Sequence, residues 1–108
     1  GFLSTRELCT LVGAPLDNAI ESVLAEPDPE KRLLRVAIYN QSGCVMLRFE
    51  NYCAQPVKMG ADGLPVHNAH GGYDLQGIRA AAQHHDGTMT LHWADGWFTL
   101  RILLPVPS

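Results

Sequence analysis

Two strand–turn–strand patterns constrain this chain more than anything else in it. Near the C-terminal end Met89, Leu91 and Trp93 alternate with other residues, and Ala94-Asp95-Gly96 follows. Phe98, Leu100, Ile102 and Leu104 then alternate again. Asp-Gly is a strong hairpin signal, because the two-residue turns that suit twisted strands need positive φ at their centre. In the first half Leu34, Val36 and Ile38 alternate with Arg35, Ala37 and Tyr39, ahead of Asn40-Gln41-Ser42-Gly43 and then Val45, Leu47 and Phe49. A period of two sends alternate side chains to opposite faces, so each hairpin has one apolar face. The sheet they form must have a covered side and a wet side.

The cover comes from two helical patterns. Ser4-Thr5-Arg6-Glu7 is a capping-box signature. Behind it Leu8, Leu11, Val12, Leu16, Ala19, Ile20 and Val23 recur at helical spacing, with Ala14, Asn18, Glu21 and Ser22 on a more polar flank expected to be exposed. Pro15 conflicts with this run, since an interior proline loses a backbone bond and clashes with the carbonyl four residues back, at a cost of ~3 kcal/mol. The stripe stays in phase across it, which predicts a kink around Gly13 to Pro15 in one helix near residues 4–25. A second helix near 72–85 opens at Gly71-Gly72, buries Leu75, Ile78 and Ala82, and ends before Gly87. Glu26-Pro27-Asp28-Pro29 reads as an exposed connection, and residues 52–70 as a long loop, a length that usually carries function or disorder. The expectation is a single α/β (α+β) domain over residues 1–108: a two-layer sandwich with a mostly antiparallel mixed sheet and both helices on one face.

Composition narrows the function classes. A net charge of -3 over 108 residues offers no basic field for nucleic acid or an anionic membrane. No apolar run approaches the ~18 residues of a membrane span, and no apolar-cored leader opens the chain, so secretion is not indicated. The first residue, Gly1, suggests a processed or excised piece. Cys9, Cys44 and Cys53 form no CxxC pair and read as reduced thiols. His67, His70, His84, His85 and His92 are spread over a loop, a helix end and a strand, which is not zinc-ligand spacing.

Four stretches resemble one family in its own order. Leu8-Cys9-Thr10-Leu11-Val12-Gly13-Ala14-Pro15-Leu16-Asp17-Asn18-Ala19-Ile20-Glu21 resembles the N-box helix of sensor histidine kinases. Arg48-Phe49-Glu50-Asn51-Tyr52-Cys53 stands where that family has its adenine-binding box. Gly71-Gly72-Tyr73-Asp74-Leu75-Gln76-Gly77-Ile78-Arg79 is similar to its second glycine box. Asp95 to Pro105 is similar to the terminal strands of the peptide-quorum-sensing branch. The resemblance is to the ATP-binding catalytic domain of these kinases, a GHKL domain with the Bergerat-type ATPase fold.

That resemblance implies ATP and Mg²⁺ as cofactors. It implies Asn18 as the Mg²⁺ ligand, a carbonyl oxygen of the kind a hard cation prefers. Asn51 takes the place of the family's adenine-contacting aspartate, and a strand-end turn is its alternative role. Gly71, Gly72, Tyr73 and Leu75 would lie along the nucleotide. Glu21, one turn beyond Asn18, is a candidate weak base or a surface residue, and Asp17 a packing or capping acid. The implied partners are the protein's own dimerisation and phosphoacceptor domain and, indirectly, a response regulator. The full protein is then expected to be a membrane-bound homodimer with this domain on the cytoplasmic side.

The pattern also departs from the family. Asp74 replaces a glycine of the Gly-x-Gly-Leu box, placing a carboxylate beside an anionic ligand, although an acid at a helix start is also simply a good cap. Cys53 replaces a backbone-approach glycine, Lys58 is the one cation left in a short lid region, and Ala14-Pro15 replace polar and helix-forming residues. These changes keep a second reading open: a degenerate kinase-like domain with weak or no ATP binding, kept for regulation or interaction.

Overall fold

A computed structural model describes residues 3–53, 60–61, 64 and 75–106. Among these, α1 (Thr5–Leu8) runs through a π-helical turn (Cys9–Gly13) into α2 (Ala14–Leu24). After a short 3-10 turn (Pro29–Lys31) come β1 (Leu34–Gln41) and β2 (Cys44–Tyr52), then α3 (Leu75–His84), β3 (Thr88–Ala94) and β4 (Trp97–Pro105). The strands form one sheet in the order β1-β2-β4-β3, every neighbouring pair antiparallel. The expected α+β sandwich is therefore present, with no parallel pair among the described strands.

The first helix begins as its capping box predicts. The Glu7 backbone N–H donates to Ser4 Oγ (3.2 Å) and the Ser4 backbone N–H to Glu7 Oε1 (2.9 Å). The proline conflict is resolved by a π turn rather than a simple kink. The Ala14 N–H reaches back to the Cys9 carbonyl, one residue further than in an α-helix, and Pro15 enters as one of the first residues of α2. Widening one turn shifts the carbonyls that the pyrrolidine ring would strike, while the apolar stripe stays in phase.

Both hairpins close through two residues with positive φ: Ser42 and Gly43 in the first, Asp95 and Gly96 in the second. The end of α3 departs from expectation in one detail. The left-handed residue is Asp86 (φ 60) rather than Gly87. The Gly87 N–H bonds the Ala82 carbonyl (2.8 Å) and the Asp86 N–H the Gln83 carbonyl (3.0 Å), a Schellman closure. Gly87 is needed for space, because a Cβ there would collide with the Leu103 carbonyl.

The core lies between helices and sheet, where Leu11, Phe49, Ile78, Leu100, Ile102 and Leu104 are fully buried. The helices cover the sheet unevenly. α2 packs on β2 and only marginally on β1, while α3 packs on β3 and β4 and against the π turn. By register Val36 pairs with Phe49 and Ile38 with Leu47, so these β1 residues belong to the helix-facing side. Yet they are 45% and 57% exposed, and Leu8, Ile20 and Leu24 on the helices are exposed as well. One-sided burial thus holds for β2, β3 and β4 but not for the edge strand β1.

Candidate functional site

The N-box pattern runs from the end of α1 through the π turn into α2, the adenine-box pattern lies at the end of β2, and α2 and β2 pack together. Asn18, Ser22 and Asn51 are 5%, 8% and 2% exposed, a polar group set within an apolar layer. Asn18 and Ser22 are one helical turn apart on the same side of α2. Asn51 faces α2 from the sheet, in line with Leu34 on one side and Phe98 on the other. Its Nδ2 donates to Ser22 Oγ at 2.9 Å and, more weakly, to the Tyr52 carbonyl at 3.4 Å.

Asn18 was expected on an exposed flank, and this is corrected: its side chain is buried. The stripe of Leu11, Ala19 and Val23 alone does not put position 18 inside; the sheet beyond it closes over that flank. Glu21 is exposed on the solvent side of α2. Leu75 opens α3 and its side chain joins the core cluster, leaving its backbone rather than its side chain for any ligand. Gly71, Gly72, Tyr73 and Asp74 lie outside the described residues, as do Lys58, His67 and His70. Cys53 closes the site end of the sheet: its N–H donates to the Gly96 carbonyl (2.7 Å) and its carbonyl accepts from Trp93 Nε1 (2.8 Å).

Sequence reasoning passed over Ser22 as one of several polar residues on a helix flank. A signal was present, since Ser22 follows Asn18 by four and so shares its face. Its partner lies 29 residues away on another element, which local patterning does not reveal. A cleft of about 440 Å³ opens between the first helical run and α3, lined by Thr10, Ala14, Gly77, Ile78 and Ala81 and by none of these three polar residues. Ala14 is one turn from Asn18, so cleft and polar group share one side of the helix.

The electrostatics are concentrated elsewhere. At the end of α3 the His85 Nε2 meets Glu7 Oε2 and ties that end to the capping box of α1. The Ser4 backbone N–H, the His85 side chain and the Ser4 hydroxyl together hold the Glu7 carboxyl down at about 2. On the open face of the sheet Glu50 accepts from Thr99 Oγ1 (3.1 Å) and pairs with Arg48 (3.2 Å) and Arg35 (3.6 Å). Among the described residues no group of three or more His, Cys, Asp or Glu side chains gathers to hold a metal, and no helix is long and apolar enough to cross a membrane.

An antiparallel sheet under a helical layer, with an asparagine-centred polar group where α2 meets β2, defines a two-layer α+β domain. The sequence profile of the GHKL domain matches residues 3–105, and the chain belongs to that family. Among solved structures it is similar to the histidine kinase domain of the E. coli osmosensor EnvZ, determined by NMR, with TM-score 0.48 and 16% identity over 87% of this chain and 65% of that one. No curated protein sequence matches it.

Proposed function

We propose that this domain binds ATP with Mg²⁺ and presents it to a histidine on a separate dimerisation domain, as part of a two-component sensor kinase. The observation that carries the reading is the Asn18–Ser22–Asn51 group. This GHKL chain keeps three polar side chains in an otherwise apolar contact, with Asn51 and Ser22 bonded to each other, where apolar residues could pack without needing partners. The donor set fits the cofactors. Asn18 offers a hard carboxamide oxygen of the type Mg²⁺ takes, and Asn51 can meet an adenine edge. Bound ATP supplies the phosphoryl group, and its metal offsets the phosphate charge. The chain's own part is to position: Asn51 at the base end, Asn18 toward the phosphates, the backbone from Gly71 to Leu75 along them. Glu21, exposed one turn past Asn18, is placed for a weak base's role or for solvation. The partners in this reading are the protein's own phosphoacceptor domain and, through it, a response regulator. The whole would be a membrane-anchored homodimer with this domain on the cytoplasmic side, in the peptide-quorum-sensing branch.

Two observations favour the second reading, a degenerate domain that binds ATP poorly: Asp74 in the glycine box and the near-complete burial of Asn18. Calorimetric titration with ATP, with and without Mg²⁺, decides between them. The catalytic reading expects Mg²⁺-dependent binding that Asn18→Ala abolishes. Because Asn18 is buried, that variant should also lose stability on the order of 1 kcal/mol, so Asn18→Asp, which keeps an oxygen, serves as the control. Weak binding that Asp74→Gly tightens, with a gain that shrinks at high salt, would mark a decayed site with charge repulsion as its cause. No binding by either form would end the nucleotide reading.

A further inference from the structure

Every Asp, Glu, Lys or Arg in the four strands lies on one side of the sheet. By register Arg35, Arg48, Glu50 and Arg101 all belong to the face turned away from the helices, and Glu50 is the single acid among them. That carboxylate is already shared. It pairs with Arg48 at 3.2 Å and Arg35 at 3.6 Å and accepts from Thr99 Oγ1 at 3.1 Å. Arg101 is left over: it is exposed and has no ion-pair partner among the described residues. Its direct partner across the β2–β4 ladder is Arg48, which puts two cations side by side with Cβ atoms about 4.5–5.5 Å apart. Like charges in that position destabilise a sheet. The outer neighbours in the same row are Ala37 and Thr90, uncharged side chains too short to cover the pair.

We propose that this open face docks an acidic segment of a partner protein, with Arg48 and Arg101 together receiving its carboxylates. Guanidinium groups present paired donors that match a carboxylate, and Glu50 between Arg35 and Arg48 shows one such group already held on this face. A carboxylate brought to Arg101 would offset the repulsion between the two facing arginines. The size of the patch favours a short protein segment over a polyanion. Three arginines on a chain of net charge -3 make a local patch, not the extended basic field that a nucleic acid or an anionic bilayer engages. In the next row of the same face stand Tyr39, Met46 and Leu103, with Tyr39 39% exposed, so the segment that fits best carries an apolar residue beside its acids. The face lies on the opposite side of the sheet from Asn18, Ser22 and Asn51, and the proposal does not rest on the nucleotide reading.

The test uses the whole chain and a fluorescently labelled oligoglutamate peptide, with oligoglutamine of the same length as control. Anisotropy titration at low salt should show binding of the first and not the second, and the affinity should fall as salt is added. Arg101→Gln should weaken oligoglutamate binding about fivefold, the upper range of an exposed ion pair. Lys31→Gln removes the same charge from the 3-10 turn and should leave the affinity nearly unchanged. The urea midpoint of Arg101→Gln should equal or exceed that of the wild type, because the substitution relieves a like-charge pair. By NMR the peptide should shift signals of Arg48, Arg101 and Leu103 on the open face and leave those of Leu11 and Ile78 in the core in place. Equal weakening by Arg101→Gln and Lys31→Gln, or shifts clustered away from this face, would mean a diffuse charge effect and overturn the proposal. A lower urea midpoint for Arg101→Gln would make the arginine a stabilising residue of the sheet, and the proposal would fail with it. Single-stranded DNA and phosphatidylserine vesicles are titrated in parallel. Binding of either through Arg101 without binding of oligoglutamate would assign the face to a polyanion or a membrane, and the acidic-segment reading would be dropped. Absence of oligoglutamate binding altogether would also overturn it.

Discussion

The two hairpins read almost identically in sequence and end up in different environments. Each has an alternating apolar pattern and a two-residue turn with positive φ. In the second, Ile102 and Leu104 on β4 are fully buried. In the first, Val36 and Ile38 on β1 stand 45% and 57% exposed on the same side of the sheet. Strand order explains this. β4 lies inside the sheet with a strand on each side, whereas β1 is an edge that α2 barely reaches. Alternation reports which residues share a face; whether that face is covered depends on how far the helical layer extends.

The largest expected difference between the hairpins is therefore in their apolar side chains. Ile102→Ala removes a side chain with no exposure from the centre of the sheet and should cost about 2–5 kcal/mol. Ile38→Ala, at a mostly exposed position on the same face, should stay near 0.5 kcal/mol, as surface changes do. Urea unfolding of both variants checks the pair. Equal losses would mean that β1 is covered as well as β4 in solution, and the comparison would collapse.

The turns sharpen it at a smaller scale. Gly43 and Gly96 both have positive φ (79° and 85°), so alanine at either is strained, by roughly 1–2 kcal/mol. Around Gly43 the space for a Cβ is open, whereas at Gly96 it would meet the Tyr52 ring at 2.9 Å. That ring already packs edge-on against Trp97 with centroids 6.0 Å apart. Gly96→Ala should thus destabilise more than Gly43→Ala, with the excess read from the shift in urea midpoint. A larger effect at Gly43 would mean that backbone strain alone, and not the Tyr52 contact, separates the two turns.

These contrasts also show what the sequence could tell. The hairpins, the capping box, the break near Pro15 and the inward set Leu75, Ile78 and Ala82 were all legible, because each is fixed by neighbours within a few residues. The form of the break was not. A kink and a π turn both satisfy an in-phase stripe, and choosing between them depends on carbonyl positions. Asp86 in the left-handed position, with Gly87 kept for close approach to β4, was invisible for the same reason: the space around Gly87 is set by a strand that comes later in the chain. At the candidate site Asn18 and Asn51 were picked out by resemblance. The burial of Asn18 and its neighbour Ser22's bond to Asn51 were missed, since both arise only when α2 meets β2.

The smallest expected effect concerns what fastens the covered side. Glu7 caps α1 and holds His85 at the end of α3, so one carboxylate joins the two helical runs over the sheet, whereas the ion pair that ties β1, Arg35 to Glu50, lies on the open face. Its carboxyl is held at about 2, below the usual 4.5, first by the Ser4 backbone N–H and then by the His85 side chain. A carboxyl with a depressed folded-state value stabilises the fold when ionised. Its contribution is complete above about pH 5, falls as the unfolded chain begins to take up the proton near 4.5, and is gone once the folded protein is protonated below about 2. Glu7→Gln cannot ionise. Thermal midpoints measured from pH 7 down to 2 should therefore show the wild type ahead of the variant at neutral pH and the two curves converging in acid. The gap should be modest, because the pair is partly open to solvent and such contacts are screened. Curves that stay parallel over that range would mean that the Glu7 charge contributes nothing to the clamp, and that the covered side is held by packing of the π turn against α3 alone.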